Sequence, residues 1–253
     1  MVMHLLECHK LTRHFGSLEA LSDVDMKIEA GEVRAVIGPN GAGKSTLFNA
    51  VNGVFAPTRG YCLFNNINIT NFPMHKIVKS GISRTFQLTH LFPELTVIEN
   101  ICIASQAKLP GAWLPMGGQN VLSRAKEQAE IALEKLKLNS FAHLQANTLS
   151  HGDQRLLEIA MAISQQPLLL MLDEPTQGLS VEETEATVNI LKNLLNEGDL
   201  TVILVEHDMD VVFNLAQKIT VLHQGRVIAD GDPDDIKANK AVQNAYLGGF
   251  EDA

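Results

Sequence analysis

The sequence predicts an α/β fold with a mostly parallel sheet, and two observations lead to this prediction. First, segments with helical periodicity alternate after residue 154 with short apolar runs, which are LLLML, TVILVE and KITVLHQGRVIADG. Such alternation is typical of a parallel sheet that helices cover on both faces. Second, residues 3–36 contain short β-type runs broken at Gly16 and Gly31, which predicts a further β-rich region at the start of the chain.

The middle of the chain is mainly helical in character. Residues 44–53 predict a helix, whereas 60–69 and 82–87 predict strands. Two segments with helical periodicity, 93–109 and 123–138, flank the stretch PGAWLPMGGQN, whose prolines and glycines predict a loop. Further helices are predicted for 154–166, 181–198, 209–217 and 233–247, the last as one continuous helix.

Composition and charge narrow the classes of function. The 253 residues are 45% hydrophobic and 19% charged, which is enough for a sizeable core. The net charge of −9 disfavours electrostatic attachment to nucleic acid or to anionic lipid. Cys8, Cys62 and Cys102 are far apart in sequence, which indicates neither a disulfide framework nor a zinc site and fits a reducing compartment.

The sequence shows no segment typical of a signal peptide or a transmembrane helix. The first residues, MVMHLLECHK, lack a long apolar core. The longest apolar run, PLLLML at 167–172, has the length of a strand, whereas a membrane span needs roughly 20 apolar residues. If the protein works at a membrane, we therefore expect another chain to provide the membrane-spanning part.

A glycine-rich motif lies between a predicted strand and a predicted helix. Residues 38–46, GPNGAGKST, fit the pattern G-x-x-x-x-G-K-[ST]. Its glycines let backbone N–H groups and the helix N-terminus surround a phosphate. We expect Lys44 to reach the β- and γ-phosphates of a nucleoside triphosphate and Ser45 to bind Mg²⁺. The predicted nucleotide contacts are Gly38, Pro39, Asn40, Gly41, Ala42, Gly43, Lys44, Ser45 and Thr46.

An acidic motif ends a later apolar strand. The run LLLMLDEP, 168–175, delivers Asp173 and Glu174 to the carboxyl end of a strand, where ligands bind in open α/β sheets. Asp173 is a candidate Mg²⁺ ligand. Glu174, facing the other way along the strand, is a candidate general base for an attacking water. Without the glycine-rich motif, the same residues would fit a strand end with solvated acids; with it, they predict a P-loop nucleoside triphosphatase.

In this order, the motifs resemble those of the ATPase subunit of an ABC transporter, and the resemblance covers nearly the whole chain. The segment LSHGD, 149–153, is similar to the family signature LSGGQ, which also lies shortly before the Asp-Glu strand. The residues alone predict that Ser150 caps a helix, with Asp153 three positions later. The resemblance implies that Ser150, Gly152 and Asp153 also meet the γ-phosphate held by the P-loop of a second subunit.

Three further residues match the family pattern by position. Gln87 resembles the glutamine that contacts Mg²⁺ and water and couples to the membrane subunits. His207, in VEHD after a strand, resembles the histidine that contacts the γ-phosphate, although a lone histidine more often has a structural role. Phe15 lies where the family has an aromatic residue that stacks on adenine. The resemblance assigns catalysis to Lys44, Gln87, Glu174 and His207, and Mg²⁺ binding to Ser45, Gln87 and Asp173.

Two positions depart from the family pattern. Asp153 replaces the signature glutamine, and a carboxylate beside a triphosphate is unfavourable unless it points away or pairs with a cation, for which Arg155 is the candidate. Ser180, in PTQGLSVEE, replaces the usual aspartate. The resemblance therefore does not carry over to Ser180 the role of that aspartate in signalling across the dimer. We expect hydrolysis to persist, because Lys44, Glu174 and His207 are all present.

Several stretches resemble one subfamily. RTFQLTHLFPELTVIENI, the insertion at 106–122, LVEHDMDVV and the ending AYLGGFE are similar to the ATPase subunits of importers for branched-chain amino acids and related amides or urea. The resemblance implies ATP and Mg²⁺ as ligands and a place on the cytoplasmic face of the membrane. The implied partners are transmembrane permease subunits, a second ATPase subunit, identical or related, and indirectly a substrate-binding protein, but no nucleic acid.

The resemblance also implies one ABC ATPase domain over residues 1–253. Residues 1–90 and 156–253 would form the nucleotide-binding core with an antiparallel β subdomain, and 91–155 a helical subdomain inserted before the signature. The alternatives are an ABC ATPase for another cargo, such as lipopolysaccharide, and a soluble ABC regulator or nucleic-acid machine. Those last two classes usually carry two ATPase units or long coiled-coil insertions, and this sequence has neither. The NKxD motif of GTPases is also absent, and a kinase would leave LSHGD unexplained.

Overall fold

The structure is a computed structural model that describes residues 4–85, 91–109, 118–196 and 200–247. In these ranges the chain forms two compact units, one from residues 4–80 and 200–247 and the other from residues 81–196. The assignment of 1–90 and 156–253 to a core and of 91–155 to a helical subdomain remains a prediction.

The start of the first unit contains an antiparallel sheet and the first strand of a parallel one. The elements are β1 (His4–Phe15), β2 (Leu18–Glu29), β3 (Val33–Ile37), α1 (Lys44–Val51), β4 (Arg59–Phe64), β5 (Ile67–Asn68) and α2 (Met74–Ser80). Four strands form the antiparallel sheet in the order β2-β1-β4-β5. Along β2, Val24, Met26 and Ile28 are buried and alternate with exposed residues, as expected for a sheet with one covered face. The predicted β-rich region is confirmed.

The second unit combines a pair of parallel strands with helices. Its elements are β6 (Ile82–Arg84), α3 (Val97–Gln106), α4 (Gly118–Lys135), α5 (His151–Ile163), β7 (Leu169–Asp173) and α6 (Val181–Asn196). Strands β6 and β7 pair in parallel, and every residue of β7 is buried. The predicted loop at 110–120 ends too late in the sequence, because α4 already begins at Gly118. Glycine and asparagine are common where helices start, so Gly118 and Asn120 gave no reliable boundary.

The end of the chain returns to the first unit and completes its parallel sheet. It forms β8 (Thr201–Val205), α7 (Met209–Leu215), β9 (Lys218–His223), β10 (Arg226–Gly231), α8 (Pro233–Ala238) and α9 (Lys240–Leu247). Strand β3 lies between β8 and β9 and is parallel to both, whereas β9 and β10 form an antiparallel hairpin. All residues of β3 and β8 are buried, which is typical of central parallel strands. The predicted mostly parallel sheet is confirmed.

The prediction of a single closing helix at 233–247 is wrong. Asn239 separates α8 from α9 with an extended backbone, φ −76° and ψ 116°. Its side-chain Oδ1 accepts hydrogen bonds from the N–H groups of Ala241 and Val242. Asparagine favours this capping conformation over a helix interior, so it ends one helix and starts the next.

Two of the three cysteines lie side by side in the antiparallel sheet. Cys8 and Cys62 are opposed residues of β1 and β4, with 3.6 Å between their buried, free Sγ atoms. The hydrogen bond to Cys62 and burial hold the pKa of the Cys8 thiol well above its usual value, so Cys8 stays a thiol at neutral pH. Within the part of the chain that the structure describes, no helix combines the length and apolarity needed to cross a bilayer.

Replacing Phe48 by alanine should destabilise the fold strongly. The Phe48 ring on α1 is 1% exposed, and emptying such a site costs about 3–5 kcal/mol of unfolding free energy. Urea unfolding followed by circular dichroism measures the loss. Phe92→Ala is the matched control, because Phe92 is 46% exposed and its loss should cost far less. Equal losses from the two changes would contradict the importance of α1 to the core.

Candidate functional site

The glycine-rich loop forms a cradle for an anion at the start of α1. It follows buried strand β3, and Gly43 precedes α1 in a left-handed conformation, φ 105°, without a side-chain cap on the helix. The first N–H groups of α1 therefore have no side-chain acceptor from the cap residue. Lys44 is 6% exposed, and its Nζ donates to the carbonyl oxygens of Gly38 at 2.7 Å and Pro39 at 3.1 Å. Ser45 is exposed in the first turn. This arrangement suits phosphate binding.

The C-terminal hairpin holds the loop in shape. The N–H of Gly225, in the β9–β10 turn, donates to the carbonyl oxygen of Ala42 at 2.9 Å. A Cβ on Gly38 would lie 2.1 Å from the carbonyl oxygen of Leu222, so a side chain does not fit there. Position 38 therefore needs a glycine because the backbone of β9 approaches it closely.

His207 follows the strand next to the glycine-rich loop. β8 ends at Val205 and is parallel to β3, so its carboxyl end lies at the same edge of the sheet as residue 38. The His207 side chain is exposed, and the backbone N–H of His207 donates to the carboxylate of the buried Glu206 at 3.0 Å. The first unit therefore places His207 and the loop at one sheet edge, where ligands bind in α/β folds.

Phe15 lies at the end of β1 with an ordered set of neighbours. Its ring is 44% exposed and packs edge-to-face on Phe55, with 5.4 Å between ring centroids. The Arg13 guanidinium lies over both rings, at 4.7 Å from the Phe15 centroid and 4.5 Å from the Phe55 centroid. Arg13 also donates to the carbonyl oxygen of Ala56 at 2.7 Å. These contacts orient a partly exposed aromatic face, and no local pattern in the sequence indicated Arg13 or Phe55.

In the second unit, Asp173 is the last residue of β7 and pairs with a buried arginine side chain. The Arg84 guanidinium donates to Asp173 Oδ2 at 2.6 Å, and the two side chains are 7% and 3% exposed. The Thr85 hydroxyl accepts the N–H of Asp173 at 3.2 Å. Asp173 Oδ1 is buried and has no hydrogen-bond partner in the described residues. An unpartnered, buried carboxylate oxygen of this kind fits a hard cation such as Mg²⁺.

Glu174 does not continue the strand. Its φ is +49°, a left-handed conformation that costs a residue other than glycine of order 1–3 kcal/mol. Strand alternation, from which we expected Glu174 to face opposite to Asp173, therefore does not apply, because β7 ends at Asp173. Glu174 is 5% exposed. A buried carboxylate on strained backbone is typical of functional positions.

The LSHGD segment starts α5 as predicted. Ser150 is the N-cap, and its Oγ accepts the N–H of Asp153 at 3.1 Å. The Ser150 hydroxyl donates in turn to Asp153 Oδ2 at 2.8 Å. The expected pair between Asp153 and Arg155 is wrong, because Arg155 donates to Glu158 at 2.8 Å while the Asp153 carboxylate is held by Ser150. Helix geometry explains this, since residues two positions apart on a helix, such as Asp153 and Arg155, do not face each other.

Glu183 connects the start of α6 to the start of α5. Its Oε2 accepts the N–H of Ser180 at 3.0 Å, and Ser180 Oγ accepts the N–H of Glu183 at 3.2 Å, which makes a capping box. Its Oε1 accepts the N–H of Gly152 at 3.4 Å. Ser180, which replaces the usual aspartate, is thus a helix cap. The spacing Ser-x-x-Glu in SVEE indicates the capping box from the sequence alone. No local pattern indicates the contact between Glu183 and Gly152.

The predicted site residues fall into two groups. The first unit brings together His207 and the loop residues 38–46 and presents Phe15 with Arg13 and Phe55. The second unit contains Asp173, Glu174 and the Ser150–Asp153 cap. Gln87 lies outside the described residues, so its position stays a prediction. In the ranges that the structure covers, no cluster of three or more His, Cys, Asp or Glu side chains forms a metal site.

Two models of known protein families match parts of the chain. A family model described as "ABC transporter" matches residues 21–177. A second, described as "Branched-chain amino acid ATP-binding cassette transporter", matches residues 226–252, which include β10 and the two closing helices.

Similar proteins and structures cover nearly the whole chain. The chain is 40% identical over 249 residues to the high-affinity branched-chain amino acid transport ATP-binding protein BraF of Pseudomonas aeruginosa, covering 96% of this chain and 98% of BraF. It is similar to a nucleotide-free ATP-binding cassette from an ABC transporter, with TM-score 0.83, 30% identity and coverage of 96% and 99%. A dimeric bacterial ABC transporter cassette matches with TM-score 0.76, 29% identity and coverage of 90% and 98%.

Proposed function

The chain belongs to the ABC transporter family, and on that premise we propose that it is the ATPase subunit of an importer for branched-chain or related amino acids. It binds and hydrolyses ATP, as its family does. Amino-acid cargo is supported by the match to BraF over nearly the full length of both proteins and by the C-terminal family match. Urea or amides as cargo are the alternative.

The observation that carries the proposal is that one chain contains both halves of a composite nucleotide site. One half is the anion cradle at 38–46 with Lys44. The other is the capped helix start at Ser150, whose first N–H groups suit a terminal phosphate. Two subunits that associate head to tail would complete two such sites, and the structural match to a dimeric cassette supports this arrangement.

We assign roles residue by residue. Lys44 and the backbone of 38–46 bind the β- and γ-phosphates, and Phe15 stacks on the adenine. Glu174 accepts the proton of the attacking water, and His207 donates a hydrogen bond to the γ-phosphate. Gln87 helps to hold the water and couples hydrolysis to the membrane subunits. Ser150 and Gly152 of the opposite subunit bind the γ-phosphate, while Asp153 stays turned to the Ser150 hydroxyl.

Mg²⁺ fits the donor set proposed for it. Asp173 offers a buried oxygen without a partner, and Ser45 offers an exposed hydroxyl in the first turn of α1. With Gln87 they would hold the ion, which neutralises charge on the phosphates when it is bound. Arg84 keeps the other Asp173 oxygen occupied at 2.6 Å and so fixes the carboxylate.

The proposed partners are two permease subunits and a second ATPase subunit, identical or related, with a substrate-binding protein acting through the permease. The chain would sit on the cytoplasmic face of the membrane and act through the permease. This placement is supported by the transport function named for BraF.

Uptake of labelled leucine by a strain lacking this chain tests the proposal. Uptake should fall and should return with the wild-type gene but not with the Glu174→Gln gene. Labelled urea, measured in parallel, distinguishes the alternative cargo. Normal leucine uptake in the strain without the chain would contradict the amino-acid assignment.

Phe15→Ala should weaken ATP binding about two- to tenfold, because an aromatic stacking contact contributes about 0.5–1.5 kcal/mol. A titration with a fluorescent ATP analogue measures the dissociation constant. Phe15→Tyr is the control, since it keeps the ring and should bind as the wild type does. If the alanine variant binds as tightly as the tyrosine variant, Phe15 does not contact the base.

A further inference from the structure

The Glu183 carboxylate accepts a hydrogen bond from the Gly152 N–H, the group that the proposed function assigns to binding the γ-phosphate. Its Oε1 accepts the N–H of Gly152 at 3.4 Å, in the first turn of α5. A Cβ on Gly152 would lie 3.3 Å from that same Oε1 and 3.4 Å from the Glu183 Cγ, so the side chain lies directly against the glycine. No other residue type at position 152 would allow this approach without a shift of Glu183.

The second oxygen of Glu183 is anchored. Its Oε2 accepts the N–H of Ser180 at 3.0 Å, and the Ser180 hydroxyl accepts the Glu183 N–H at 3.2 Å. The N–H of Ser180 has the largest effect and lowers the pKa of the Glu183 carboxyl. Burial opposes it, and Gly152, the Ser180 hydroxyl and His151 lower the pKa further, so the net shift is downward. Glu183 is therefore an anion, held in place by its own helix and pointed at the neighbouring helix start.

From these contacts we propose that Glu183 is an internal anion that satisfies the Gly152 N–H in the absence of nucleotide and that the γ-phosphate of ATP must replace. This inference rests on the proposed role of Gly152 in binding the γ-phosphate of the opposite subunit. Glu183 is a positioning residue, and its charge opposes the approach of a second anion to the same N–H. Through Ser180 it also connects the LSHGD segment to the loop that follows Glu174.

The test compares two glutamine variants in full-length Glu174→Gln protein. Glu183→Gln keeps the length of the side chain and its ability to cap α6, since glutamine also serves in a capping box, but removes the charge. Glu182→Gln is the matched control, because it removes the same charge from an exposed neighbour in the same helix turn. Light scattering at increasing ATP and Mg²⁺ gives the ATP concentration at which half of the subunits associate.

We expect Glu183→Gln to lower the half-saturating ATP concentration about two- to fivefold, the size typical of one charge at a helix N-terminus, and Glu182→Gln to leave it unchanged. An unchanged or higher concentration for Glu183→Gln would overturn the proposal. So would an equal decrease in the two variants, which would show a general effect of net charge.

The amide proton of Gly152, measured by NMR without nucleotide, provides a second readout. Its resonance should move upfield in Glu183→Gln, because a neutral acceptor replaces a carboxylate, and should stay in place in Glu182→Gln. An unchanged Gly152 resonance in Glu183→Gln would refute the contact. If the parent Glu174→Gln protein fails to associate with itself at any ATP concentration, pairing of identical subunits is wrong, and the Gly152 resonance alone decides on Glu183.

Discussion

Glu174→Gln protein should bind ATP with wild-type affinity and hydrolyse it about 10²–10⁴-fold more slowly, the range over which a general base accelerates a reaction. Glutamine has the shape of glutamate but cannot accept the proton of the attacking water. Glu174 is 5% exposed and sits directly after buried strand β7, so the substitution changes no surface charge that steers nucleotide. Phosphate release at saturating ATP and Mg²⁺ measures the turnover.

Binding and stability measurements separate lost chemistry from lost structure. A fluorescent-nucleotide titration should give the same dissociation constant for the variant and the wild type, and their thermal unfolding should coincide. Glu182→Gln, at an exposed acid in α6, should keep full turnover. Wild-type turnover in the Glu174→Gln protein would remove Glu174 from the role of general base.

Lys44→Ala protein should bind ATP about 10- to 150-fold more weakly, because a hydrogen bond to a charged group contributes about 1.5–3 kcal/mol. Lys44 is 6% exposed, and its Nζ is already held by the carbonyl oxygens of Gly38 and Pro39, inside the loop that would enclose the phosphates. Its cation is therefore pre-positioned for the phosphates. The titration with a fluorescent ATP analogue measures the loss directly.

Lys27→Ala is the matched control for Lys44→Ala. Lys27 has the same charge but a 55% exposed side chain on β2, so its removal should leave the affinity for ATP unchanged. Adenosine binding adds a second check, since it lacks phosphates and should not depend on Lys44. Normal ATP affinity in the Lys44→Ala protein would show that residues 38–46 do not bind the triphosphate.

Local patterns in the sequence predicted much of the fold and part of the site. The strand, loop and helix around 33–51 follow from an apolar run and a glycine motif, and the structure forms them where expected. The cap at Ser150 was equally local, since its partner Asp153 is three residues away. Interactions of this range depend on a few neighbouring residues, which a single sequence displays directly.

The rest of the site depends on contacts between distant residues or on backbone strain. Arg84 meets Asp173 across 89 positions, and Gly152 meets Glu183 across 31, so neither pair leaves a local pattern. The left-handed conformation of Glu174 is imposed by its surroundings against the preference of glutamate. Asn239, by contrast, carried a local capping signal that the helical periodicity of 233–247 concealed.

The hydrogen bond from the Gly225 N–H to the Ala42 carbonyl oxygen determines when the glycine-rich loop can be supported during synthesis on the ribosome. Strand β3 pairs with β8 and β9, and the turn after β9 supports the loop at 38–46, so both strand partners of β3 and this supporting turn are translated long after the loop. At roughly 5–20 residues per second, about 190 residues separate Gly38 from Gly225, a delay of about 10–40 s. The loop at 38–46 therefore gains its hydrogen bond from Gly225 only after the β9–β10 hairpin has emerged.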